Sequence, residues 1–156
     1  MLGRAAGGVR GVLLGGVRTM RHIGSWRGEI MTVQPTAANP PLALALAYHR
    51  AWASKNVDEA LRHVSDDIVC DAPGATIRGM DQYRPFLANF VPIVTGYDML
   101  AALGDAETAV LVYDLHTIPV SSGLVCECFT VKDNRITTNR LIFDPTPYAA
   151  AGQLPS

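Results

Sequence analysis

The sequence predicts an α+β domain in which a strongly curved sheet folds around helices. Three observations carry the prediction. Helix-period segments and one pair of short strands fill the first half of the regular region, in the order ααββα. Everything after them has strand character: "IVTGYDMLAAL", "TAVLVYDLHTIPV", "GLVCECFTV" and "RITTNRLIFD". Turn signals at Gly104-Asp105, Ser122-Gly123 and Asp133-Asn134 separate these four runs closely enough for a meander. With 156 residues, 49% of them hydrophobic, the chain is long enough for one core and too short for two ordinary domains.

The elements follow in order. Residues 1–40 stand apart. Arg4, Arg10, Arg18, Arg21 and Arg27 precede the first acid, Glu29, among many glycines. The segment reads as a disordered extension, or as the product of a start placed upstream of Met31, ending in the linker "QPTAANPP". "LALALAYHRAWASKN" puts Leu44, Tyr48 and Trp52 on one helical face. Asn56 then caps the short helix "VDEALRHV", with Asp58 and Glu59 in its first turn. "DDIVCDAPGATI" reads as two strands about a Pro-Gly turn. "GMDQYRPFLANFV" spaces Tyr83, Phe86, Leu87 and Phe90 as a third helix, with Pro85 tolerable only near its start.

Charge and motif content exclude several classes. From Met31 onward there are eight basic and 13 acidic residues, a net of −5, a poor partner for phosphate backbones. No stretch of about 20 apolar residues runs uninterrupted, so no membrane span is expected. Cys70, Cys126 and Cys128 are an odd number in apolar settings, which points to free thiols and a reducing, cytoplasmic location. "CEC" lacks a second pair at ligand spacing, and Gly-rich phosphate loops and a G-x-S-x-G elbow are absent; neither a metal nor a cofactor is expected. His49 and His63 read as exposed helical residues.

"YHRAWASKNVDEALRHVSDDIVCDAPGATIRGMDQYRPFL", together with "CECFTVKDNRI", resembles the nuclear-transport-factor-2-like superfamily, and within it the SnoaL-like and ketosteroid-isomerase-like proteins. The resemblance spans residues 41–148 and leaves 149–156 as a tail. It implies a cone-shaped, strongly curved antiparallel sheet wrapped around three N-terminal helices, a cystatin-like α+β roll. The cone of such proteins admits a small, mostly apolar ligand.

By that resemblance Glu127 faces the cone, and period-2 geometry brings Val125 and Phe129 with it. Counting back across the turn places Val110, Val112, Asp114 and His116 on the same side. The resemblance adds Asn139, Leu141 and Phe143 from the last strand, with Tyr48 and Trp52 above and Phe86 and Phe90 from the third helix. Catalytic candidates are then Glu127, His116, Tyr48 and Asp114. Desolvation would raise the Glu127 pKa, Tyr48 would hold an enolate oxygen, His116 would move a proton, and Asp114 would orient the imidazole. Two departures stand out. "CDAPG" puts Ala72 where ketosteroid-isomerase-like enzymes carry a carboxylate before Pro, with Asp71 one residue early and facing away. Arg140 likewise points outward beside Asn139.

Two functions are implied: a cofactor-independent isomerase, cyclase or dehydratase acting on a small hydrophobic carbonyl or polyketide-like compound, or a non-catalytic binder of a lipophilic ligand or protein partner. Leu111, Tyr113, Leu115, Leu124, Cys126, Cys128 and Ile142 would form an apolar outer face, which predicts a homodimer through the convex sheet.

Overall fold

The computed structural model describes residues 31–32 and 40–152. Helix α1 (Pro40–Ala53) opens on Pro40-Pro41, where a missing backbone N–H costs nothing, and buries Leu44, Ala45, Tyr48, Ala51 and Trp52. Helix α2 (Val57–Leu61) starts at Asn56, whose side chain accepts from the Glu59 N–H at 3.0 Å. Helix α3 (Met80–Phe90) begins after Gly79, which has φ +75°, and it accommodates Pro85 in its second turn rather than at its start. A short 3-10 turn, Val91–Ile93, leads into the meander. Lys55, across from it, donates to the carbonyls of Val91 and Val94.

The strands are β1 (Met31–Thr32), β2 (Val64–Ala72), β3 (Ala75–Arg78), β4 (Val94–Gly104), β5 (Thr108–Thr117), β6 (Gly123–Lys132) and β7 (Arg135–Phe143). They form one curved, open sheet in the order β1-β4-β5-β6-β7-β2-β3. The meander β4 to β7 is antiparallel as expected, but β7 pairs with β2 in parallel, as does β1 with β4, so the sheet is mixed. Met31–Thr32, assigned to the extension by sequence, adds its strand beside Ala101 and Ala102. The remainder of the proposed extension, 1–30 and 33–39, lies outside the described residues. A short helix α4 (Thr146–Ala150) runs across the expected domain end at 148 into the tail, of which 153–156 lie outside the described residues.

Register decides which side chains reach the interior. On β5 and β6, Ala109 pairs with Phe129, Leu111 with Glu127, Tyr113 with Val125 and Leu115 with Gly123. Opposed residues of an antiparallel pair share a face. The odd-numbered residues of both strands are therefore inside, and burial agrees: Ala109, Leu111, Tyr113, Leu115, Val125, Glu127 and Phe129 are all buried. Fully burying one such apolar side chain stabilises by about 1.5–3 kcal/mol.

This corrects the sequence-based placement of Val112, Asp114 and His116. Seven residues, 116–122, separate the paired Leu115 and Gly123, and an odd connection keeps odd opposite odd. Val110, Val112, Asp114 and His116 consequently lie on the outer face, and Leu111, Tyr113 and Leu115 belong to the core. Outside, the His116 ring Nε2 meets Asp98 at 3.0 Å and its Nδ1 the Ser121 carbonyl at 2.6 Å, while the Ser122 hydroxyl donates to Asp114. These contacts hold the imidazole pKa above its usual value, the Ser121 carbonyl first and the Asp98 carboxylate second.

Candidate functional site

Between α1, α3 and the inner face of the sheet lies a cup of about 400 Å³, lined mainly by apolar side chains. That volume is within the ordinary range for small-molecule sites. Of the residues named from the sequence, Trp52, Phe86 and Phe90 from the helices, Val125 from β6 and Leu141 and Phe143 from β7 line it. Phe129 shares their face yet lies beneath, its ring edge-on to Tyr48 at 5.7 Å, so it supports the wall instead of lining it. Tyr83, Tyr113, Leu115 and Tyr148 also line the cup, and sequence reasoning had not placed them there. Tyr83 was legible in part: it falls on the same helical stripe as Phe86, and a phenol on an apolar stripe needs a polar partner.

The partner exists. Tyr48 and Tyr83 share a hydrogen bond at 2.6 Å between their hydroxyls, and Asn139 Nδ2 donates both to the Tyr83 oxygen at 3.3 Å and to Glu127 Oε1 at 3.1 Å. The result is one buried polar chain, Tyr48–Tyr83–Asn139–Glu127, drawn from α1, α3, β7 and β6. Each position follows from local structure. Tyr48 comes from the buried stripe of α1, and Asn139 opposes Phe129 in the β6–β7 register, diagonal to Glu127.

Burial dominates the electrostatics. Glu127 is 3% exposed, and desolvation raises its pKa to about 7, against the pull of Asn139 and Tyr113, which favour the ionised form. Burial likewise holds the Tyr48 and Tyr83 phenols well above their usual range, so both remain neutral donors. Cys70, adjacent on β2, is pushed to about 12, chiefly by burial and then by Glu127, which makes it an inert thiol. Glu127 Oε2 and Asn139 Oδ1 are buried with no hydrogen-bond partner.

Asp71 stands outside the cup, with Arg140 Nη2 3.6 Å from its carboxylate, and Ala72 lines the wall in its place. His49 is fully buried, contrary to the sequence reading, in a box of Trp52, Tyr97 and Tyr113 rings with centroids 4.4–4.6 Å away. Neither ring nitrogen has a partner, and desolvation lowers its pKa to about 4. Among the described residues no group of three or more His, Cys, Asp or Glu is arranged to hold a metal ion, and no helix is long and apolar enough to cross a membrane.

A helix-filled curved sheet with an apolar cup and a buried acid defines a protein of the nuclear-transport-factor-2-like superfamily. More narrowly, the chain belongs to the SnoaL-like domain family, whose profile matches residues 45–139. A crystal structure of a protein from Kribbella flavida DSM 17836 is similar at 47% identity and a TM-score of 0.70, covering 75% of this chain and 95% of that one. An NTF2-like protein from Cytophaga hutchinsonii ATCC 33406 shares the fold at 16% identity and a TM-score of 0.64, over 74% of this chain and 99% of that one. A protein from Sinorhizobium meliloti, described as a proposed polyketide cyclase, does so at 19% identity and a TM-score of 0.59, over 64% and 94%. No curated protein matches the chain.

Proposed function

We propose that the cup is the active site of a cofactor-independent acid/base enzyme, of isomerase, cyclase or dehydratase type, acting on a small hydrophobic carbonyl compound. One observation carries the reading: Glu127 sits in the wall of an apolar cup with its pKa at about 7, so near neutrality it both accepts and returns a proton.

The chemistry runs through this chain's own side chains. Ionised Glu127 removes a proton from the carbon beside the substrate carbonyl. The Tyr48–Tyr83 phenol pair has one O–H left over, because only one of its two protons lies between the oxygens. That proton supports the developing enolate oxygen, a contribution typically of about 2.7–4 kcal/mol for such a preorganised donor. Glu127, now protonated, delivers the proton to another carbon or to a leaving oxygen. Asn139 keeps carboxyl and phenol in fixed relation, since one amide nitrogen bonds both.

The test is exchange of the α-protons of 2-decalone in D2O, followed by NMR. Wild-type protein is expected to accelerate exchange, with the rate rising as pH passes through about 7 as Glu127 ionises, and Glu127→Gln to return it to the buffer rate. Equal rates with and without protein would sink the catalytic reading. Ligand-induced thermal shifts without any exchange would instead support a carrier for lipophilic molecules.

A further inference from the structure

We infer that Cys126 and Cys128 make a second binding site on the outer face of the sheet, a dithiol that takes one trivalent arsenic centre across its two sulfurs. The site lies on the opposite face from the cup and stands independently of the function proposed there.

Geometry distinguishes the pair from a chance repeat. Two residues apart on β6, the cysteines share the face opposite Glu127, and their sulfurs lean together to 3.9 Å. Both are half-buried free thiols, whereas Cys70 is fully buried on β2. In the register Cys126 stands between Val112 and Ile142, and Cys128 between Val110 and Arg140. The one charged residue among these four partners, Arg140, already has the Asp71 carboxylate 3.6 Å away.

A direct bond between the sulfurs fits poorly. Two steps along a strand separate the Cα atoms by about 6.6 Å, near the upper end of what a disulfide spans. A bridging atom fits better: with bonds of about 2.3 Å, the usual thiolate–zinc length, it would subtend about 115° at the present separation. Its identity follows from the ligand count and the charge. Zinc asks for four ligands, and among the described residues no third His, Cys, Asp or Glu stands with the pair to hold a metal ion. Trivalent arsenic that carries one carbon substituent is complete with two thiolates, and the product bears no net charge. Neutrality suits the place, since Val110, Val112 and Ile142 solvate a charge badly.

The reaction also suits thiols that hold their protons. Burial, and then the neighbouring Cys128, push the Cys126 thiol up to about 11. An organoarsenic(III) dihydroxide condenses with the two thiols directly. Two As–O bonds break and two As–S bonds form, each thiol proton leaves with a hydroxide as water, and arsenic stays trivalent throughout, so no oxidant or reductant is required.

Titration of the reduced protein with phenylarsine oxide in excess 2-mercaptoethanol, read by intact mass, tests the inference. The wild-type chain is expected to take up one phenylarsenic group with loss of water, resistant to the monothiol and removed by 2,3-dimercaptopropanol. Cys126→Ser and Cys128→Ser should each bind about 100-fold more weakly or worse, because the second As–S bond is then no longer intramolecular. Cys70→Ser should bind as wild type does. Leu124→Lys, which puts a charge beside the pair and keeps that face open to solvent, should take up the same single group. No uptake by either the wild-type chain or Leu124→Lys overturns the inference, as does uptake undiminished by either serine at 126 or 128. Should a serine variant fail to fold, peptide mapping of the wild-type adduct decides: protection of Cys126 and Cys128 from alkylation supports the site, and alkylation of both overturns it.

Discussion

The side chain of Asn139 donates to the carboxyl of Glu127 at 3.1 Å across adjacent strands, and the same amide nitrogen reaches Tyr83 at 3.3 Å. A neutral amide so placed anchors a carboxyl without ionising it, as an arginine or lysine would. Desolvation is left as the dominant influence on Glu127.

Glu127→Gln should therefore stabilise the protein while removing its proposed chemistry. The folded chain keeps the Glu127 proton up to about 7, whereas an unperturbed carboxyl releases it near 4.5, so stability is full below 4.5 and is lost as pH rises toward 7. The shift corresponds to about 3 kcal/mol. Denaturant melts at pH 8 should show the variant more stable than wild type by up to that amount, with the difference vanishing near pH 4.5.

His49 has the opposite sign. Its folded pKa is depressed to about 4 from 6.5, so the unfolded chain takes up the proton first, and stability falls as pH drops through that window, also by about 3 kcal/mol. Over pH 4.5–6.5 the two groups oppose each other, and the wild-type melting temperature should be nearly flat. Glu127→Gln should expose a steep loss toward acid. His49→Phe, which fills the aromatic box without orphaned nitrogens, should remove that loss and leave a decline toward neutral pH.

His116→Ala should leave the 2-decalone exchange rate and its pH profile unchanged. The imidazole is on the far side of the sheet, with Asp98 and the Ser121 carbonyl. A fall in rate would show that the register of β5 against β6 differs from the one described.

Part of the outer face remains apolar even after Leu111, Tyr113 and Leu115 are assigned to the core, beside the polar stretch of Asp98, Asp114 and His116. Leu103, Leu124 and Ile142 are 49–62% exposed there, and Cys126 lies between Val112 and Ile142 in the register. We propose that a second copy covers this face. Sedimentation velocity should give a dimer for the wild-type chain and a monomer for Leu124→Lys; a monomeric wild type would overturn the proposal.

Much of the architecture was legible because long periodic segments state their faces: the 44/48/52 stripe of α1 and the 83/86/87/90 stripe of α3 both turned inward. Glu127 was placed in the cone by the family resemblance, and the alternation of β6 carried Val125 and Phe129 with it. Its partners on β5 were missed because parity was carried across a turn whose length had not been settled. The strand itself held the better signal. Its odd positions, Ala109, Leu111, Tyr113 and Leu115, are uniformly apolar or aromatic, whereas the even ones end in Asp114 and His116, which water solvates cheaply. His49 defied any reading from pattern, because three aromatic rings from two other strands and its own helix decide its burial.

The seven-residue span 116–122 thus acts as a counter for everything upstream of it on β5. Losing one codon there would ask the strand either to leave a gap in its ladder or to present aspartate and imidazole to the oil and leucine to the water. Length in that loop should consequently vary by pairs of residues among related chains, even where its composition drifts freely.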